Sequence, residues 1–342
     1  MTDLSPLTNL YRHLDDRIDT VYVIPDIHRY ARHNPYLALL YAPLQDSNAD
    51  GRFRVRTVTL FSPGIVWRRW RGEHSVVHHH WFEAGNPKGL VNAVWKLLMA
   101  ALYRRAGGQV VWTVHNLEPH HGRWTGLNRF LRRRWAAGAA RLCVHCGSVS
   151  ATVAAHLGVP ESRIAVIAHP VYPVPTLGKE AARAVAEQTL GGPLPDAPLR
   201  LMAGQIAAYK GIAGVIEAFL DAGAPGTLVI AGPLKRGEAG YLKRLRALAA
   251  PAGEHIRIHP HRLSSEALDA LHTVSDQVVF NHRDILQSGS VVLARAHGRP
   301  VLVPRRGCLA ELSGADVTHF DDAAGLTRAL SRIPPAATES RP

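Results

Sequence analysis

Residues 281–304 read NHRDILQSGSVVLARAHGRPVLVP. An apolar strand, QVVFNH (277–282), runs into this stretch. A small-residue turn, Ser288-Gly289-Ser290, follows it, then a helical segment rich in Val, Leu and Ala, and Gly298-Arg299-Pro300 leads into a second strand, PVLVP (300–304). A helix that opens on such a turn presents backbone N–H groups and the positive end of its dipole to an anion. Glycine at 289 lets a phosphate approach the backbone closely. The hydroxyls of Ser288 and Ser290 either cap the helix or bond phosphate oxygens.

The same alternation of strand and helix extends outward. In the second half, LRLMAG (199–204), GTLVIAG (226–232) and HIRIHP (255–260) read as strands, with helices over 238–251 and 264–274. Gly204 ends the first of these strands, Lys210 sits in the loop after it, and a helix begins at once. In the first half the strand candidates are 20–25, 53–61, 75–81, 109–115, 140–146 and 163–169, separated by helix candidates at 34–46, 89–107 and 125–138. Short Val/Ile/Leu runs alternating with helices are the signature of parallel sheets covered by helices. The prolines of HPVYPVPTLGKE (169–180) suit neither a helix nor a central strand and mark the join. The fold expected is α/β, two Rossmann-like domains facing across a cleft, with ligands at the carboxyl ends of the strands. The domains span 1–170 and 171–332, and residues 333–342 read as a disordered tail.

Composition bounds the rest. The 46% hydrophobic and 20% charged residues, with every apolar run shorter than the roughly 20 residues needed to cross a bilayer, indicate a soluble globular chain. The N-terminus shows no secretory signal, which makes the cytoplasm the expected location. The formal charge of +13 is unevenly shared: residues 1–170 carry 21 Lys and Arg against 11 Asp and Glu, whereas 171–342 carry 19 against 16. A basic first half suits an anionic partner. Cys143 and Cys146 have C-x-x-C spacing, but no second pair completes a zinc tetrahedron.

Three first-half segments place polar clusters where strands should end: PDIHRYARHNPYLALLY, SVVHHHWFEAGN and TVHNLEPHHG. The last raises the question of a metal, but Pro119 interrupts any helix between His115, Glu118, His120 and His121, and the spacing is wrong for a metalloprotease. Alternate strand residues point to opposite faces, so His79 must part from His78 and His80. No metal and no cofactor is expected.

From 199 to 304 the ordered motifs, namely the loop lysine, LVIAGP, HPHRLSSEALDALHTVSDQVVF and the Ser-Gly-Ser turn before GRPVL, resemble the C-terminal half of a GT-B glycosyltransferase. In the first half, NPY opening a helix, HHHW closing a strand and TVHNLxPH closing another resemble bacterial GT-B enzymes related to the xanthan-assembly β-mannosyltransferase. The resemblance implies an N-terminal acceptor-binding domain and a C-terminal domain for a nucleotide-diphosphate sugar. Donor-binding falls to Lys210, Gly204, Ser288, Gly289, Ser290 and His80, with His261 and Arg262 near the nucleobase. Acceptor-binding falls to Asn34, Tyr36 and Trp81. One departure stands out: counting back from Gly298-Arg299-Pro300, the two glutamates of the large retaining family would fall at Ile285 and Leu293. That favours an inverting transfer, in which a base takes the acceptor's proton and an electropositive cradle steadies the leaving diphosphate. The candidate bases are His115 and His120, then Glu118 and Asp26.

The expected function is therefore transfer of a hexose, with mannose from GDP-mannose one candidate donor, to a lipid-linked or polysaccharide-precursor acceptor. The alternatives are a retaining transferase, a sugar-nucleotide epimerase, and a non-catalytic scaffold of the same fold. WRRWRGEH (67–74), the helix over 94–105 and NRFLRRRW (128–135) mix Arg with Trp, Leu and Phe. Such a surface suits anionic lipid headgroups, which places the protein peripherally on the inner face of the plasma membrane. No nucleic-acid module is recognisable.

Overall fold

The computed structural model describes residues 5–31, 34–45, 53–82, 84, 86–118, 124–175, 177–196, 198–283 and 285–334. The chain divides into two compact units, Met1–Pro170 and Val171–Pro342.

The first unit holds strands β1 (Thr20–Ile24), β2 (Arg54–Thr57), β3 (Ser75–His79), β4 (Gln109–Thr113), β5 (Arg141–Val144) and β6 (Ile164–Val166). Its helices are α1 (Pro6–Leu14), α2 (Ile27–Ala31), α3 (Tyr36–Gln45), α4 (Pro63–Trp70), α5 (Pro87–Arg105), α6 (Thr125–Gly138) and α7 (Ser150–Leu157). All strand pairs are parallel, in the order β2-β1-β3-β4-β5-β6. The two-residue period of the strands sorts the side chains. Val21, Val23, Val76 and Val111 pack against Leu7 and Tyr11 of α1 and Leu37 and Tyr41 of α3. Their sequence neighbours face the other way: Ser75 meets Tyr103 of α5, and His79 meets Trp135 of α6. Helices on both faces explain why β1 and β3 are buried throughout.

The second unit holds β7 (Leu199–Ala203), β8 (Thr227–Ala231), β9 (Ile256–His259), β10 (Gln277–Val279), β11 (Val301–Pro304) and β12 (Val317–Phe320). Its helices are α8 (Lys179–Leu190), α9 (Ile212–Asp221), α10 (Ala239–Ala249), α11 (Ser265–Val274), α12 (Gly289–Ala296) and α13 (Ala323–Leu330). The parallel sheet runs β12-β11-β10-β7-β8-β9. One face packs on α9, α10 and α13, the other on α8, α11 and α12. Arg200, fully buried in β7, donates to the carbonyls of Pro225, Leu330 and Arg332, so backbone oxygens satisfy its charge.

Several strands stop earlier than their apolar runs. The run 53–61 ends as a strand at Thr57, because Ser62-Pro63 opens α4 with proline in its first turn. The runs over 140–146 and 163–169 end at Val144 and Val166. β12 and the helices α1, α2, α4, α7, α8 and α13 are additions to the elements expected from the sequence.

Candidate functional site

In the second unit the strand order reverses between β7 and β10, each of which continues outward through its own series of neighbours. Loops diverge at such a switch point and leave a crevice at the strands' carboxyl ends. The loop after β7 and the turn before α12 both lie there. Gly204 adopts φ 118°, a conformation that favours glycine, and a Cβ built on it would lie 3.8 Å from Lys210 Nζ and 4.0 Å from Ser290 Oγ. A lysine tip, a serine hydroxyl and bare backbone thus enclose one small space. Ser288 occupies the N-cap of α12 without a side-chain cap bond, so its hydroxyl is not spent on closing the helix. Burial pushes the Lys210 ammonium down to about 8.

Neighbouring loops fix this geometry. Asn281 Nδ2 donates to the Gly211 carbonyl at 2.9 Å, Arg283 N to the Tyr209 carbonyl at 3.0 Å, and Ala208 N to Glu238 Oε2 at 2.7 Å. Gly211 has φ 66°, and a side chain there would collide with the Asn281 carbonyl. His261 and Arg262 stand exposed on the loop after β9, which is separated from β7 by β8.

In the first unit, residues just beyond β3, β4, β5 and β6 converge into an aromatic and imidazole cluster. His115 stacks on Trp81, ring centroids 4.5 Å apart, and its Nε2 lies 3.2 Å from His80 Nδ1. The other nitrogen of His80 meets the Tyr41 hydroxyl at 2.9 Å. His78 stacks on His80 at 4.8 Å and is held by Tyr11 at 2.6 Å and Thr113 at 2.8 Å. Tyr36 packs edge-on against His115 and reaches His145 Nε2 with its hydroxyl at 2.9 Å. His145 Nδ1 donates to the Ile167 carbonyl at 2.7 Å, so in the neutral ring Nε2 is the acceptor and Tyr36 the donor. His169 closes the cluster, 5.2 Å from His145 and 5.0 Å from Tyr36.

Burial governs the electrostatics here. It lowers His78 to about 3 and His145 to about 4, and holds His80 and His115 well below the ordinary histidine range. Neighbouring imidazoles push the same way, because a second positive charge in the cluster is repelled. The cluster is therefore neutral near pH 7, and a proton entering it is disfavoured by burial and by the neighbouring rings. Among the described residues, no three His, Cys, Asp or Glu side chains converge as a metal site.

The remaining candidates are dispersed. His80 is fully buried, and its two nitrogens support His115 and Tyr41. Both of its nitrogens are thus engaged within the cluster. Glu118 is paired with Arg129 at 2.9 Å and His156 at 3.3 Å, so its carboxylate is engaged with α6 and α7. Asp26 accepts from Arg29 N at 2.8 Å and Asn34 from Tyr36 N at 2.9 Å, which makes both local turn formers. Trp81 is sandwiched by His115 and Tyr30. His120 lies outside the described residues. The sequence reading missed His145 and His169, which stand just past the ends of β5 and β6.

No family model matches the sequence, and no curated protein matches it. Solved structures do. The chain is similar to Anabaena HepE in complex with UDP and glucose, with a TM-score of 0.59 and 16% identity over 91% of this chain and 89% of that one. It is similar to a sucrose-phosphate synthase from Thermosynechococcus elongatus, with a TM-score of 0.63 and 16% identity over 92% and 89%. A third likeness is to the catalytic domain of starch synthase IV from Arabidopsis thaliana bound to ADP and acarbose, with a TM-score of 0.63 and 11% identity over 92% and 90%. These define the class of fold: two Rossmann-like domains of the GT-B type spanning nearly the whole chain.

Proposed function

We propose that this chain is a metal-independent glycosyltransferase that takes a hexose from a nucleotide-diphosphate sugar and passes it to a lipid-linked glycan. The observation that carries this reading is the cradle of Gly204, Lys210 and Ser290 at the β7/β10 switch point, beside the N-terminus of α12. A cation, a hydroxyl and a helix dipole around one space are complementary to a diphosphate, and more so as the sugar departs and its charge grows. Solved relatives of this fold support the class of donor: HepE was captured with UDP-glucose and starch synthase IV with ADP.

The finer assignments are part of the same proposal. Ile285 and Leu293 stand where carboxylates would serve a retaining enzyme, which supports inversion. His115 is the base we favour, because it stands just past β4 within the imidazole cluster and burial keeps its ring unprotonated near pH 7. Mannose from GDP-mannose is the donor we favour, on the resemblance in the first half. The first unit binds the acceptor and the second the donor. The basic charge of the first half supports a location on the inner, anionic face of the plasma membrane, in the cytoplasm.

Calorimetry with GDP, UDP and ADP tests the cradle. At least one binds the wild type, and Lys210→Ala weakens it about tenfold or more, the scale of losing one charge-assisted contact. Affinity also falls as pH rises through about 8, where Lys210 loses its proton. Equal binding by wild type and Lys210→Ala, with both folded, ends the reading. The anomeric configuration of the product, read by NMR, decides inversion.

A further inference from the structure

α4, α5 and α6 lie side by side over one face of the first sheet, α5 touching both others. Their inward residues form an ordinary core: Ala93, Met99, Ala100 and Tyr103 of α5 are buried, as are Ile65 of α4 and Leu131 and Trp135 of α6. Their outward residues do not resemble a solvated face. On α5, Val91, Val94, Leu98 and Leu102 recur at the spacing of a single helical stripe, and all four are exposed, Val91 at 71% and Leu98 at 50%. Trp70 of α4 is 74% exposed and Phe130 of α6 58%. A contiguous apolar band of this kind on a folded chain marks a contact surface.

Charge selects the occupant. The three helices contain ten Lys and Arg and not one Asp or Glu. Arg68, Arg71, Lys88, Arg105, Arg133 and Arg134 are exposed around the band. Arg129 is paired with Glu118, and the Arg71 guanidinium covers the Trp67 ring at 4.9 Å. A second copy of the chain would bring together two cationic faces whose helices carry no carboxylate, which like-charge repulsion disfavours. A bilayer with anionic headgroups satisfies both features at once, taking the apolar stripe at its boundary and the guanidinium groups at its surface. No helix among the described residues is long and apolar enough to cross a membrane, so contact is made lying flat.

We infer that the outward face of α4, α5 and α6 is the surface by which this protein seats on an anionic bilayer, with the Val91–Leu102 stripe of α5 as its apolar keel. This deepens the membrane reading above and rests on it. The seat is built wholly from elements of the first unit, whereas the donor cradle is built from elements of the second.

The test uses the full chain with vesicles of phosphatidylcholine alone and of equimolar phosphatidylcholine and phosphatidylglycerol. The wild type cosediments with the second and not the first. Leu98→Glu, at an exposed position where folding is not at stake, reduces that binding about tenfold or more, as does Arg133→Gln combined with Arg134→Gln. Nucleoside-diphosphate affinity is unchanged in every variant. Equal sedimentation of Leu98→Glu and wild type overturns the inference, and so does a wild type that ignores both vesicles. A dimer that Leu98→Glu dissolves reassigns the face to contact between copies. If vesicles bind and no nucleotide does, the seat stands and the glycosyltransferase reading falls.

Discussion

Three consecutive histidines on β3 and just past it meet different surroundings. His78 and His80 face α1 and α3, where hydroxyls of Tyr11, Thr113 and Tyr41 satisfy them. His79 faces α6 against Trp135, and among the described residues neither of its ring nitrogens meets a side-chain hydrogen-bond partner although the residue is buried. An unpaired buried polar group costs about 1–3 kcal/mol, and an apolar ring of similar shape recovers it. We predict that His79→Phe raises the unfolding midpoint in denaturant titrations. His78→Phe lowers it, because it strands the Tyr11 and Thr113 hydroxyls; a His79→Phe as destabilising as His78→Phe contradicts this account. The split between the faces is readable from the sequence, since strand side chains alternate. Which of the three would find partners is not, because Tyr11 and Tyr41 come from helices far away in the chain.

At the scale of single elements, α11 and α12, which both open on serine, invite a contrast. Ser264 accepts from Ala267 N at 3.0 Å and caps α11, whereas Ser288 caps α12 by position without bonding its N–H groups. Ser264→Ala should cost about 1 kcal/mol. Ser288→Ala should cost less than about 0.5 kcal/mol while weakening nucleoside-diphosphate binding; the reverse pattern would make Ser288 structural. The element pattern itself was legible where apolar runs were long: β7, β8, β9 and α6 fall close to their sequence runs. It failed at strand ends. RIAVIAH continues past Val166 with Ile167 and Ala168, as apolar as the strand, and ARLCVHC places Cys146 after His145, so the apolar runs did not show that His145 and His169 stand beyond the ladder. β12 escaped because it is four residues long and only partly buried.

For the molecule as a whole, the buried histidines set an acid limit. His78 at about 3, and His145, His272 and His297 at about 4, all titrate below the unfolded histidine value because burial disfavours their charged forms. Between roughly pH 6.5 and pH 4 the unfolded chain binds protons that the folded chain refuses, so stability is complete above that window and falls through it. Each such group contributes up to about 1.4 kcal/mol per pH unit. The midpoint of thermal unfolding should drop steeply from about pH 7 to about pH 5, and a flat profile in calorimetry would refute the burial account. The parallel two-domain plan was legible from the alternation of short and long apolar periods, and so were the residues of the cradle; their convergence required the strand order. That order has a consequence for assembly. Gly204 and Ser290 belong to segments separated by β8, β9 and three helices, and they become neighbours only when β10 docks beside β7. Under the proposed function no local fragment could hold the diphosphate, because the loop-closure entropy of that docking precedes any binding. A nucleotide bound there would act as a clasp on the finished second unit, stabilising the entire sheet rather than only the loop it touches.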